Sequence, residues 1–351
     1  MKWSLRDRIV GVSVFAWALC ACAAPIVDVL SRPAVQVVHP EKATLIGASD
    51  VDGHLVVVGE RGIVALSSDE GRTWRQSRVP VSVTLTAVQM VDPATGFAVG
   101  HGGVVLATTD GGRTWRKLVD GIQLAAVASK AAQASGDPQA LKTAQMLVAD
   151  GADKPLLALH FFDAQHGFIL GSYNLAFLTG DGGQTWEWIS ARFENPKGLH
   201  LYDVAVRGST MLVVGEQGSV YLSDDGGQAF RKVALPYKGS LFVATMPSDD
   251  ELVVAGLRGN VWRSTDRGTT WVQVEVPHPV SIVAAADRTA SAPLLANQAG
   301  ELLVLHGDRV VSSKGSVATP LNAILSLKSG RLLVLGGAGA VVVDPGLGAL
   351  K

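Results

Sequence analysis

Thr108-Thr109-Asp110-Gly111-Gly112-Arg113-Thr114-Trp115 is one copy of a phrase that the chain writes five times. The other copies are Ser67–Trp74, Thr179–Trp186, Ser223–Phe230 and Ser264–Trp271. Each has a hydroxyl residue, an aspartate two positions on, a glycine two further, and a closing aromatic. The aspartates, Asp69, Asp110, Asp181, Asp225 and Asp266, are 41, 71, 44 and 41 residues apart. A period near 40 residues points to blades of four strands arranged in a ring.

The phrase has a mechanical reading that needs no ligand. A short carboxylate in a tight turn accepts hydrogen bonds from nearby backbone N–H groups, and the glycine supplies the positive φ that the turn demands. The aromatics, Trp74, Trp115, Trp186, Phe230 and Trp271, start the next strand and can wedge between neighbouring blades. At about 25 cal/mol per Å² over roughly 150–250 Å², one buried ring contributes on the order of 4–6 kcal/mol gross. All ten residues are therefore expected to be structural.

The residues around each box complete a blade. Leu85–Met90, Gly96–Val99, Val104–Thr108 and Thr114–Leu118 read as four short β-rich runs separated by turn residues. The layout repeats over Ala43–Val79, Pro155–Phe193, Leu199–Leu235 and Gly239–Val276. Val280–Lys314 keeps the spacing without the box, and Pro320–Asp344 has room for three strands only. The count is seven: an all-β, seven-bladed propeller over residues 34–345. The Val-rich run Ala34–His39 has the right length to pair with the last blade and close the ring, hiding an edge that would invite aggregation.

The N-terminus carries an address. Lys2, Arg6 and Arg8 precede an apolar run from Ile9 to Leu19, the order of an export signal. Two processing routes stand side by side: Ala21-x-Ala23 suits ordinary cleavage after a leader of residues 1–23, and Leu19-Cys20-Ala21-Cys22 is a loose lipobox that would lipidate Cys22. Uncleaved anchoring by Ile9–Val27 is a third route, weakened by Pro25. An exported protein, periplasmic or otherwise extracytoplasmic and membrane-associated, is expected. Both cysteines lie in this leader, so no disulfide is expected in the body. Without Lys2, Arg6, Asp7 and Arg8 the net charge is −3, with no basic block, which argues against nucleic acid as a partner.

Phe162-Asp163-Ala164-Gln165-His166-Gly167-Phe168-Ile169-Leu170-Gly171, followed by the box at Thr179–Trp186, resembles the Asp-box repeat of the photosystem II assembly and stability factors of cyanobacteria and chloroplasts and their bacterial relatives. The likeness spans most of residues 43–345. It implies a non-enzymatic extracytoplasmic factor that holds a membrane-protein subunit during assembly. Sialidases share the boxes, but the early Arg-Ile-Pro of those hydrolases is absent: Arg32-Pro33 lacks the Ile, and Tyr173, Tyr202, Tyr221 and Tyr237 show no glutamate partner. A glycoside hydrolase also needs two placed carboxylates, and the acidic residues here sit mostly in turns. A purely structural envelope protein is the other rival. His160 and His166 fall in a strand and a turn, so neither metal nor cofactor is expected.

Regularity breaks between the second and third boxes. Within 120–154, Gln123–Ser135 and Gln139–Ala149 read as two Ala-rich helices broken by Gly136-Asp137-Pro138. This insertion should share a face with the turns between second and third strands, opposite the boxes. Those turns carry residues that vary in type on a repeating frame: Arg61, His101, Tyr173, Asn174, Glu216 and Arg258. They form the candidate partner-binding ring, with Arg61 and Arg258 foremost because a guanidinium grips carboxylates and peptide carbonyls bidentately. Because strand pairing uses neither feature, loss of the insertion is expected to leave the propeller folded.

Overall fold

The computed structural model describes residues 28–286, 292–316 and 320–344. Residues 1–27, and with them the expected leader, its candidate processing sites and Cys22, lie outside the described part.

Seven antiparallel sheets follow one another along the chain, six of four strands and a last one of three. Blade 1 runs through Leu45–Val51, His54–Gly59, Val64–Ser67 and Arg75–Gln76, and blade 2 through Leu85–Met90, Gly96–Gly100, Val105–Thr108 and Arg116–Val119. The first strands of blades 3 to 7 are Leu156–Phe161, Leu201–Arg207, Leu241–Thr245, Ile282–Ala286 and Leu321–Ser326. Each first strand contacts the first strand of the next blade, and that of blade 7 contacts that of blade 1, so the seven line a central channel.

Seven apolar clusters fill the seven gaps between neighbouring blades. The second strands are apolar at nearly every position because both faces are covered, as His54–Gly59 and Leu252–Gly256 illustrate. Each box aromatic packs toward the preceding blade. Trp115 lies among Val56, Val58, Val64 and Leu66 of blade 1, and Phe230 among Phe168, Leu170 and Ala176 of blade 3. Gly112, at φ +80°, leaves no room for a side chain: a Cβ there would come within 3.0 Å of Leu66.

Side chains on the inner strands tie one blade to the next. Gln89 of blade 2 donates to Phe161 O (2.9 Å) and accepts from Phe161 N (2.7 Å) in blade 3. Asp203 of blade 4 accepts from Ala244 N (2.9 Å) in blade 5. Asn322 Nδ2 of blade 7 donates to Leu45 O (2.8 Å) of blade 1, and Arg331 pairs with Glu70 at 2.6 Å across the same seam.

The expected closing strand is a correction. Ala34–His39 is not a strand on blade 7; it runs along the outer edge of blade 1. Ala34 N donates to Val79 O (3.0 Å), Val37 N to Gln76 Oε1 (2.7 Å), and Gln76 Nε2 to Val35 O (2.9 Å). The fourth strand of blade 1 is only two residues long, so Ser77–Val79 has carbonyls to offer, and Gln76 clamps the segment with its side-chain amide. The next residues, Pro40–Lys42, form a single 3-10 turn beside Gly339 of blade 7. Blade 7 keeps three strands among the described residues, and its seam is closed by apolar packing of first and second strands, Leu45 and Leu55 against Leu333 and Leu335.

Helix α1 (Gly121–Ser135) and helix α2 (Pro138–Asp150) form the insertion. Helix α1 starts two residues before the expected Gln123 because Asp120 caps it. Its carboxylate accepts from Ile122 N and Gln123 N, while the Gln123 side chain accepts from Asp120 N at 3.0 Å. Gly136 ends the helix at φ 68°, and Asp137 with Pro138 starts the next. The expectation that the insertion is dispensable for folding is also corrected. Leu124, Ala125, Ala128, Ala132, Ala144 and Leu147 are buried in one cluster with Val105, Val119, Leu175 and Phe177, so the helices are part of the blade 2–3 core.

Candidate functional site

The five boxes consume their own carboxylates. Asp110 Oδ1 accepts from Thr108 Oγ1 (2.8 Å) and Thr114 N (2.9 Å), and Oδ2 accepts from Thr114 Oγ1 (2.6 Å). Thr108 Oγ1 in turn accepts from Gly112 N at 3.0 Å. The same set recurs at Asp69, Asp181 and Asp266, and Asp225 keeps the part that its alanine neighbour, Ala229, allows. Asp69 is held down to a pKa of about 2, first by the Thr73 hydroxyl, then by Thr73 N–H and the Ser67 hydroxyl. Asp266 is likewise held at about 2 by Thr270, through its hydroxyl and then its N–H, and by the Ser264 hydroxyl. A carboxylate so engaged is a turn former and has little left to offer a ligand.

The opposite face is built from a different turn. The second strand of each of blades 1 to 5 ends in a single 3-10 turn: Glu60–Gly62, His101–Gly103, Ser172–Asn174, Glu216–Gly218 and Leu257–Gly259. The first N–H of each turn donates to the carbonyl just before the inner strand, as Glu60 N to Thr44 O (3.1 Å), Glu216 N to His200 O (3.0 Å) and Leu257 N to Ser240 O (2.9 Å). The turns therefore surround the channel mouth. Helix α1 begins, and the segment after α2 ends, against the His101–Gly103 turn, which puts the insertion on this face.

The middle residue of these turns adopts the left-handed conformation: Arg61 (φ 54°), Gly102 (φ 70°), Tyr173 (φ 55°), Gln217 (φ 53°) and Arg258 (φ 57°). Asn174 follows at φ 61°. Only blade 2 uses glycine at the middle position, where a side chain costs on the order of 1 kcal/mol or more. Left-handed residues on the box face have an ion partner in a neighbouring blade, Glu70 with Arg331 and Arg267 with Asp224. Among the described residues Arg61 and Arg258 have no carboxylate partner, and both are exposed.

The sequence-derived ring divides. Tyr173 and Glu216 are brought together through His200, which the sequence reading missed. Tyr173 N donates to His200 Nδ1 (2.9 Å), their rings meet edge-on with centroids 4.7 Å apart, and His200 N donates to Glu216 Oε2 (2.9 Å). Because Nδ1 accepts that bond, the proton of the neutral ring sits on Nε2. The 3.7 Å approach of Nδ1 to Glu216 is then not an ion pair. The aromatic line continues from His200 to Tyr202 (6.1 Å) and on to Phe242 (5.2 Å). At its other end Lys154 Nζ stands 4.5 Å over the Tyr173 ring, held by Asp150 (3.0 Å) and Asp153 (2.9 Å). Burial opposes the charge of Lys154, and these two carboxylates outweigh it and raise its pKa. Asn174 donates to Ser190 O (3.1 Å) and accepts from Asn195 (3.0 Å), which fastens the turn to the connection leading into blade 4. Arg61 and His101 stand apart on blades 1 and 2. Arg258 bonds through its backbone to Ser281 Oγ (3.2 Å) and lies beside Tyr237 on blade 5.

Tyr202 and Phe242 occupy a repeated place. Every inner strand has a β-bulge at its second residue, for which the register shifts between Leu201 and Asp203 and between Leu241 and Val243 are examples. The equivalent residues elsewhere are Ile46, Thr86, Leu157, Val283 and Asn322. A ring of bulge residues at the channel mouth was thus present in the sequence at blade period, and two adjacent aromatics in it were the available signal.

Deeper in the channel, Asp203 is partly accessible yet ringed by protein. Burial pushes its pKa up to about 6 against the two N–H groups, Ala244 and Val204, that favour the charge. His160 is pushed down to about 4 by burial, and His166 bonds Asp163 at 2.9 Å, so the two histidines serve different surroundings. Among the described residues, no group of three or more His, Cys, Asp or Glu is placed to hold a metal, and no helix is long and apolar enough to cross a membrane.

A closed ring of seven blades, boxes on one face and a polar–aromatic mouth on the other, defines a seven-bladed Asp-box propeller. The model of the family described as photosynthesis system II assembly factor YCF48 matches residues 137–301. The chain is 30% identical over 82 residues to the photosystem II assembly lipoprotein Ycf48 of Synechococcus sp. (strain CC9902), a stretch covering 23% of this chain and 25% of that protein. It thus spans about a quarter of the length of that relative. Among solved structures it is similar to YCF48 bound to D1 peptide, with a TM-score of 0.64 and 19% identity over 90% of this chain and 100% of that one. It is also similar to YCF48 from Cyanidioschyzon merolae, with a TM-score of 0.63 and 16% identity over 86% of this chain and 95% of that one. The matched region is a little under half of the chain, and the likeness to these structures is one of fold.

Proposed function

We propose that this propeller is a non-enzymatic, extracytoplasmic assembly factor that binds a segment of a membrane-protein subunit at the channel mouth on the face away from the boxes. The observation that carries the reading is the left-handed turn position. On the box face such residues are spent on ion pairs between blades, whereas Arg61, Tyr173 and Arg258 keep a strained backbone with side chains that build no blade contact of that kind. The groove from Tyr173 through His200 and Tyr202 to Phe242 offers aromatic faces, flanked by the Lys154 ammonium and the Glu216 carboxylate. That combination suits an extended peptide with an apolar residue and a carboxylate. The assembly role in the description of the matched family model, the lipoprotein relative and the peptide-bound neighbour support the partner class and a membrane-associated location outside the cytoplasm.

The test is capture of partners from detergent-solubilised membranes, read by mass spectrometry. Glycine tolerates the left-handed conformation, so Arg61→Gly, Tyr173→Gly and Arg258→Gly combined relieve strain at three sites. Glycine's extra unfolded-state freedom offsets most of it, leaving stability within about 1 kcal/mol per site. The triple variant should fold as the parent does and lose the captured membrane protein. A triple variant that captures the same partner at the same affinity would place recognition elsewhere.

A further inference from the structure

Five arginines in the described part, Arg192, Arg207, Arg263, Arg267 and Arg331, are ion-paired. The other ten described arginines carry no ion pair among the described residues, and three of them meet on the outer rim of blades 1 and 2. Arg75, Arg78 and Arg113 line one cleft of ≈ 540 Å³ together with Gln36, Val37 and Gln76. None of the three has a carboxylate partner among the described residues, and all three are exposed. Asp110 also borders the cleft; its oxygens are engaged by Thr108 and Thr114, and its negative charge offsets one of the three positive ones. Backbone pairing holds the guanidinium groups near one another despite their repulsion: Arg78 N donates to Arg113 O, and Trp115 N to Arg78 O, both at 3.0 Å. On a chain of net charge −1 this is a local concentration and no reflection of a general excess of base.

Apolar residues stand beside the cations. The segment clamped by Gln76 exposes Val35 (71%), Val37 (42%) and Val38 (88%) along the same rim. It also follows closely on residues 1–27: on the lipobox reading of the sequence, a chain tethered at Cys22 would hold Val35 within about 45 Å of the bilayer. We infer that this rim, Arg75, Arg78 and Arg113 with Val35 and Val38, docks the propeller onto an anionic bilayer surface. The guanidinium groups take lipid phosphates and the valines enter the headgroup region. Basic groups beside exposed aliphatic residues are what such a surface selects, each arginine contributing roughly fivefold in affinity. Blade 5, with part of the peptide groove, lies across the ring, so docking leaves the mouth free.

The experiment uses the full chain in lipid nanodiscs and follows arginine modification by phenylglyoxal, residue by residue. With a quarter of the lipid phosphatidylglycerol, modification of Arg75, Arg78 and Arg113 should slow at least roughly fivefold relative to phosphatidylcholine alone. Arg61 and Arg258, in the same molecule, should not change. High salt should erase the protection, and Val35→Asp with Val38→Asp, both exposed and harmless to the fold, should weaken it. Equal rates in the two lipids, or slowing at all five arginines alike, overturns the proposal. So does protection by a soluble polyglutamate peptide in neutral discs without protection by anionic lipid, which would make the cleft a site for acidic protein segments.

Discussion

Replacing Asp110 by alanine isolates what one box contributes. The substitution removes the acceptor of three hydrogen bonds, from Thr114 N (2.9 Å), Thr114 Oγ1 (2.6 Å) and Thr108 Oγ1 (2.8 Å). Thr114 is exposed, so water recovers most of its two, and their net loss is about 1 kcal/mol. Thr108 is buried and must go on accepting from Gly112 N, which leaves its own proton without a partner at a further cost of about 1–2 kcal/mol. The sum, about 2–3 kcal/mol, lowers the melting temperature by several degrees for a domain of this size. Asp110→Asn keeps one carbonyl acceptor and should lose less. Differential scanning calorimetry gives the shift, and capture from solubilised membranes gives the function, which should stay parental. A variant that melts with the parent but no longer captures its partner would refute the assignment of the box to turn formation.

Two further outcomes follow from the same coordinates. Asp203 binds its proton more tightly folded than unfolded, so its contribution to stability falls as pH rises from about 4 to about 6 and the penalty is complete above that; Asp69 and Asp266, held at about 2, give the opposite limb, with stability present above about pH 4 and lost toward pH 2. Melting temperature against pH should show both limbs, and Asp203→Asn should flatten the upper one alone. Asn322→Ala removes the inner-strand bond to Leu45 O and should cost about 1 kcal/mol in urea unfolding while leaving the other blade seams intact, as hydrogen exchange along Leu241–Thr245 would show.

The architecture was legible because its determinants are local and repeated. A hydroxyl, an aspartate and a glycine within five residues fold their own turn, and the aromatic after them lands against the preceding blade each time. The insertion was legible for a similar reason, and its first helix begins earlier than periodicity suggested only because Asp120 and Gln123 cap each other. What escaped was the work of side chains meeting across long stretches of chain. Val35 and Val37 find Gln76 some 41 and 39 residues away, and the Val-rich run looks equally suited to either outer edge. His200 joins Tyr173 across 27 residues. The turn residues Tyr173, Asn174 and Glu216 were singled out by their variation on a fixed frame, but the histidine that joins Tyr173 to Glu216 belongs to an inter-blade connection with no repeat to reveal it.

The two faces divide labour, and the backbone records it. A propeller closed at seven seams has no need of side chains in left-handed turns, since glycine would serve at each, as it does at Gly102. Where such a residue persists on the box face, it repays the strain locally: Glu70 reaches Arg331 across the blade 7–1 seam, and Arg267 reaches Asp224 from blade 5 to blade 4. No comparable return is visible for Arg61 or Arg258, while Tyr173 receives Lys154 over its ring and His200 at its edge. Strain retained without a fold-stabilising partner is the observation on which the proposed recognition surface rests. On that proposal the mouth face, with its aromatic line ending at Phe242, receives the partner, and the box face, whose carboxylates are spent on their own turns, is the frame.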